Sequence, residues 1–240
     1  MSSSHFGYDV PRGPLVVNLV RHGNAPWVRD GVTVDDPELG QRGVDQCAAL
    51  AAELSGAKFD LVVASPVKRA RETVALACGG LETPAVEDWL AEMRYPVWQG
   101  QPPELAARAL ADARTLPAEE RWNAFEESGE GIRSFTDRVR SGLRRFLAGL
   151  DVRPVTDGGP ALWEMDGVER QILMVAHAGS ISTVLSMLLG FEPTPWEWER
   201  FQIAHCSITR LITIPVGTRY AFSVECLGYM EYIPEHLRSW

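Results

Sequence analysis

Two short apolar runs, each ending in a histidine, constrain this chain more than any other feature. Leu15-Val16-Val17-Asn18-Leu19-Val20 leads directly into Arg21-His22-Gly23, and Ile172-Leu173-Met174-Val175-Ala176 leads into His177-Ala178-Gly179. Runs of this length with almost no polar alternation read as strands buried on both faces, the pattern of parallel sheets. Ligands of such sheets sit beyond the carboxyl ends of the strands. The two histidines, out of five in the chain, are therefore expected to share one pocket although they lie far apart in sequence.

The rest of the pattern supplies the sheet and its cover. Gly43–Leu54 and Val67–Cys78 read as helices around a strand at Asp60–Ala64, and Pro84–Asp88 as a short third strand. Ser134–Leu150 is an amphipathic helix, Asp151–Glu169 a loop, and Ser180–Leu189 a helix closed by Gly190. Ser207–Ile214 and Tyr220–Leu227 alternate like the arms of a hairpin around Pro215-Val216-Gly217-Thr218. Strands alternating with helices predict an α/β fold, a three-layer α/β/α sandwich on a mixed, mostly parallel sheet. Residues 93–130, with prolines at 96, 102, 103 and 117, read as a helical insertion over the carboxyl ends of the strands. With 240 residues, 45% of them hydrophobic, the expectation is a single domain spanning 1–240.

Charge and cysteine usage narrow the function. A net charge of −9 argues against a broad nucleic-acid surface. Lys58 and Lys68 are the only lysines, so cationic chemistry here is guanidinium chemistry, and no GxxxxGK[ST] phosphate loop is present. Four cysteines without a CxxC read as reduced thiols rather than a metal site. No metal or cofactor is expected. The first 13 residues hold no apolar signal core, and no apolar stretch reaches membrane-spanning length. The expectation is a cytoplasmic protein with no membrane partner. Its oligomeric state stays open, a homodimer among the readings.

At the predicted carboxyl edge the strands deliver Arg21 and His22, then Arg69 on the first turn of a helix, then Glu92, then His177. Two guanidiniums, two imidazoles, one carboxylate and a helix N-terminus suit a tetrahedral dianion. Arginine forks match phosphate oxygens, a neutral imidazole can attack phosphorus, and a carboxyl group can protonate a departing oxygen. Each residue alone is weak evidence; the conjunction on one sheet edge carries the reading.

With these residues in place, the chain resembles the histidine phosphatase superfamily, the phosphoglycerate-mutase-like proteins. Arg21-His22-Gly23 matches the family signature. Ser65-Pro66-Val67-Lys68-Arg69-Ala70-Arg71-Glu72-Thr73 is similar to its second motif, Leu90-Ala91-Glu92 to the segment that holds the acid, and Val175-Ala176-His177-Ala178-Gly179 to that of the second histidine. Ser128-Gly129-Glu130 followed by Arg138-Val139 is also family-like. The resemblance spans roughly residues 15 to 237. It implies that His22 is the nucleophile, that Arg21, Arg69 and His177 hold the phosphoryl oxygens, and that Glu92 is proton donor and then base. Asn24 and Ala178 join the expected phosphate-binding set. His22 then has to keep one ring nitrogen unprotonated while the other donates, for instance to a backbone carbonyl.

Departures from the family pattern are Val28, Gly40 and Ala178, where relatives carry asparagine, threonine and frequently glycine. The implied activity is hydrolysis of a small phosphomonoester through a phosphohistidine. Phosphoglycerate mutase-type transfer and a non-catalytic phosphate-binding module are the alternatives. The insertion weighs against a mutase, since its four arginines face seven carboxylates.

Overall fold

Strand β1 (Leu15–Arg21) is buried along its first six residues, and its alternate side chains feed two different cores. Leu15, Val17 and Leu19 join Ile172, Met174 and Ala176 on one face of the sheet. Val20 joins Leu173, Val175, Val62 and Ala64 on the other. This two-sided burial is why the runs lack polar alternation. The structure, a computed structural model, describes residues 12–79, 84–155 and 159–240.

The main sheet runs in the order β5 (Ala85–Val86), β4 (Leu61–Ala64), β8 (Arg170–Ala176), β1, β9 (Ile208–Val216), β10 (Arg219–Tyr229), β7 (Trp163–Glu164) and β6 (Arg153–Pro154). The first four are parallel neighbours; from β1 to β9 onward the pairing is antiparallel. Two small strands, β2 (Val28–Arg29) and β3 (Val32–Thr33), form a separate ribbon. The expected mixed α/β sheet is present, and its parallel half carries the histidine strands. One expectation is corrected: the stretch read as a loop, Asp151–Glu169, contains β6 and β7, which extend the sheet edge. A two-residue strand is too short to carry a period.

Helices α1 (Gln41–Glu53) and α2 (Lys68–Ala77) cover one face through Cys47, Leu50, Ala70, Val74 and Ala77. In the 93–130 region lie α3 (Pro103–Thr115) and α4 (Ala118–Arg121). The opposite face is covered by α5 (Ile132–Ala148) and α6 (Ala178–Leu188), through Phe135, Val139, Leu143, Leu147, Ile181, Val184, Leu185 and Leu188. Full burial of a side chain such as Phe135 contributes roughly 1.5–3 kcal/mol. Ser182 and Thr183 sit inside the core because their hydroxyls donate to the carbonyls of Ala178 and Gly179, at 2.7 and 3.0 Å.

α1 and α5 each begin two residues earlier than the sequence pattern predicts. Their N-caps, Gly40 and Gly131, make no side-chain cap bond, so the signal that marks a helix start is missing. At Gly40 the cause is packing: a Cβ there would stand 2.9 Å from Pro26 Cδ, which leaves no room for a capping threonine. Among the described residues, no helix is long and apolar enough to cross a membrane.

Candidate active site

The register of β1 against β8 builds the centre of the site. Arg21 pairs with Ala176, so the residues that follow, His22 and His177, emerge side by side. Their ring centroids are 4.9 Å apart, and the His22 N–H donates to the Ala176 carbonyl at 2.9 Å. On the far side of β8, Ala64 pairs with Val175, which delivers Ser65 to His177. Ser65 Oγ lies 2.8 Å from His177 Nε2.

The surroundings of His22 fix its tautomer. Its Nδ1 is 2.7 Å from the Gly23 carbonyl oxygen, which can only accept, so Nδ1 carries the proton. Nε2 is then left with a lone pair, and Arg69 Nε donates to it at 3.1 Å. Burial, followed by the nearby His177, Arg69, Arg21 and His205, holds the ring well below the usual histidine range. His22 is thus a neutral base at physiological pH with Nε2 available. The loop behind it is tied down: the Gly23 N–H donates to Thr73 Oγ1 at 3.0 Å, and the Asn24 N–H to Gln46 Oε1 at 2.8 Å.

Two guanidiniums lie near the ring. Arg21 donates from one terminal nitrogen to the Ile203 carbonyl at 2.6 Å, while its buried Nε has no partner among the described residues. Burial lowers its pKa to about 10, which still leaves a cation at neutral pH. Arg69, on the first turn of α2, lies 3.8 Å from Asp36. Burial also lowers its pKa, with Glu92 and Asp36 acting in the opposite direction.

Glu92 reaches the site from just beyond the 3-10 turn Asp88–Leu90. Its Oε2 accepts the Gly179 N–H, on the first turn of α6, and its Oε1 accepts the Met93 N–H, both at 3.0 Å. Gly179 permits this approach, because a Cβ there would stand 2.3 Å from Glu92 Oε1. The segment is gripped from behind by Arg138 of α5. That guanidinium donates to the carbonyls of Asp88, Trp89, Ala91 and Glu92 at 3.1–3.3 Å. It also forms a two-pronged bond to Glu130, 2.7 Å on each side.

Arg21, His22, Arg69, Glu92 and His177 are therefore brought to one place. Ala178 opens α6 beside them. Asn24 is held there by its backbone, with no bond from its side-chain amide to any described residue. Tyr95, Trp98 and Phe125 form one aromatic cluster: Tyr95 stacks on Trp98 at 5.4 Å and meets the edge of Phe125 at 5.5 Å.

The sequence pattern assigns no role to Ser65, Arg138 or His205. The His205 ring stands edge-on to His22, with centroids 5.4 Å apart. Burial and then Arg21 push its pKa down to about 3. The reason His205 carries no mark in sequence is topological. His205 precedes β9, and β9 is antiparallel to β1, with Val20 paired to Ile208. The amino end of β9 therefore lies at the carboxyl edge of β1, which a search of carboxyl ends alone passes over.

Comparison with known proteins gives the family. Over 175 residues the chain is 27% identical to the adenosylcobalamin/alpha-ribazole phosphatase of Escherichia coli (strain K12), covering 72% of this chain and 78% of that one. It is also 27% identical, over 187 residues, to a 2,3-bisphosphoglycerate-dependent phosphoglycerate mutase of Beijerinckia indica, covering 73% and 81%. The crystal structure of the alpha-ribazole phosphatase from Shigella flexneri superposes with a TM-score of 0.67 at 21% identity, covering 89% of this chain and 96% of that one. The profile of the histidine phosphatase superfamily (branch 1) matches residues 17–222, and the chain belongs to that family.

Proposed function

We propose that this protein hydrolyses a small organic phosphomonoester through a phosphohistidine on His22. The observation that carries the reading is the His22 tautomer: with Nδ1 tied to the Gly23 carbonyl, the Nε2 lone pair is turned toward the Arg69 guanidinium. In the first step Nε2 attacks phosphorus, the bond from phosphorus to the ester oxygen breaks, and Glu92 gives that oxygen a proton. In the second step water attacks phosphorus, Glu92 takes the water proton, and the P–N bond breaks to release phosphate. Arg21, Arg69 and His177 hold the non-bridging oxygens, where charge stabilisation contributes most. The Ala178 amide and the Asn24 side chain are the further donors that this reading assigns.

Relatives are named for hydrolysis of alpha-ribazole phosphate and phosphoserine, so a small phosphorylated metabolite is the substrate class we infer. The acidic balance of residues 93–130 favours hydrolysis over mutase transfer, and the four unpaired cysteines fit a cytoplasmic setting. Purified protein assayed on an aryl phosphate, with and without phosphoglycerate, separates the readings. Turnover that phosphoglycerate does not stimulate, and that His22→Ala abolishes, is expected. Phosphoryl transfer to phosphoglycerate would indicate a mutase. Tight vanadate binding without turnover would indicate a binding module.

A further inference from the structure

We propose that His205 is a third imidazole of the phosphoryl site, donating its Nε2–H to an oxygen of the transferring group, and that Ser239 sets its tautomer. The inference rests on the phosphatase reading of the site and adds two residues to it.

The placement comes from the turn before β9. Cys206 adopts a left-handed φ of 54°, and its N–H is shared by the carbonyls of Arg21 at 3.0 Å and His22 at 3.4 Å. A non-glycine residue in this region is strained and persists where its surroundings fix it. Here the turn clamps residues 203–206 around the nucleophile loop, and Arg21 holds the other end through the Ile203 carbonyl. His205 is carried against the His22 ring as a result.

The tautomer follows from a chain of hydrogen bonds. Gln46 Oε1 accepts the Asn24 N–H at 2.8 Å, so its NH₂ faces the other way. That NH₂ donates to the Leu237 carbonyl at 2.7 Å and to Ser239 Oγ at 3.0 Å. Ser239 Oγ therefore already accepts one bond and has its own proton to give. His205 Nδ1 lies 3.0 Å away, and no other acceptor for that proton is found among the described residues. In the proposal the hydroxyl donates to Nδ1, which leaves the ring proton on Nε2; the Ser239 backbone also acts on the ring, in the direction opposite to burial. The His205 N–H also donates to the Ser239 carbonyl at 3.0 Å, fixing the two segments together. Nε2 bonds to no described residue and is not sealed in the core. His22 acts as acceptor and nucleophile; His205 adds a neutral donor beside it.

The test compares wild type, His205→Ala, His205→Gln, Ser239→Ala and the double variants, in kcat/KM on an aryl phosphate and in affinity for orthovanadate. Loss of one donor to a developing oxyanion is expected to lower kcat/KM by about 10²-fold, with weaker vanadate binding in parallel. His205→Gln, whose amide reaches the same position, should recover part of both. Ser239→Ala should lower activity several-fold when His205 is present and have no effect in the His205→Gln background, a pattern that a purely structural role for Ser239 would not produce. Imidazole ¹⁵N NMR should find the His205 proton on Nε2 in wild type and divided between the nitrogens in Ser239→Ala. His205→Ala within twofold of wild type in both turnover and vanadate affinity overturns the proposal. So does a Ser239→Ala effect that is equal in both backgrounds. If His205→Ala fails to fold, the His205→Gln and Ser239→Ala series decides. Wild-type protein that neither turns over an ester nor binds vanadate would instead overturn the reading of the whole site.

Discussion

At the scale of single residues, chemistry depends on atoms that have room to approach one another. Glu92 meets the first turn of α6 only because Gly179 has no side chain. Gly179→Ala is expected to push the carboxylate aside and remove proton donation while leaving the phosphate ligands in place. Alkyl phosphates, which need their departing oxygen protonated, should then lose about 10²-fold in kcat. An aryl phosphate with a good leaving group should lose far less, and vanadate affinity should hold. Equal losses on both substrates would assign Glu92 another role. The five residues at the carboxyl edges were legible because apolar strands announce where a chain stops being buried. His205 was not, since it enters from the amino end of an antiparallel strand, and the role of Arg138, though the residue stands out beside Glu130 in a family-like pair, was not, since its other partners are backbone carbonyls that leave no mark in sequence.

At the scale of elements, α5 is what holds the acid segment in position. Arg138 satisfies four carbonyls at the end of the 3-10 turn and pairs with Glu130. Burial raises the Glu130 pKa, but the Arg138 hydrogen bonds and charge, with the Arg94 N–H, outweigh it and leave the carboxyl below its usual value. Arg138→Gln strands both the carboxylate and the carbonyls and should cost about 3–5 kcal/mol, read as a lowered denaturation midpoint. The surviving folded enzyme should show the same selective loss on alkyl phosphates as Gly179→Ala. Unchanged stability would mean that the pair contributes nothing. The main helices and the long strands were readable from their periodicity. β6 and β7 were not, and the early starts of α1 and α5 were not, because two-residue strands carry no period and glycine caps carry no side-chain signal.

At the scale of the whole molecule, grouping three imidazoles has a consequence for stability. Burial, with Arg21 and Arg69 nearby, keeps His22, His177 and His205 below the pKa of a free histidine. The unfolded chain therefore binds protons that the native protein does not, across the window from 6.5 down to the folded values, about 3 for His205. Stability is full above pH 6.5 and is lost as pH falls through that window. Each ring should cost up to about 2 kcal/mol at pH 5. Denaturant unfolding at pH 7 and pH 5 should register the loss, and inorganic phosphate should restore part of it by binding the native state. Equal stability at both pH values would contradict the burial of these rings as neutral groups.

Everything proposed for the site requires His22 to carry the phosphoryl group. Rapid acid-free quenching of enzyme mixed with a ³²P-labelled ester, followed by peptide mapping, tests it most directly. Up to one equivalent of acid-labile, base-stable label is expected on the peptide containing His22, and none on His22→Ala. Steady turnover with no labelled enzyme, or label on any residue other than His22, would contradict it.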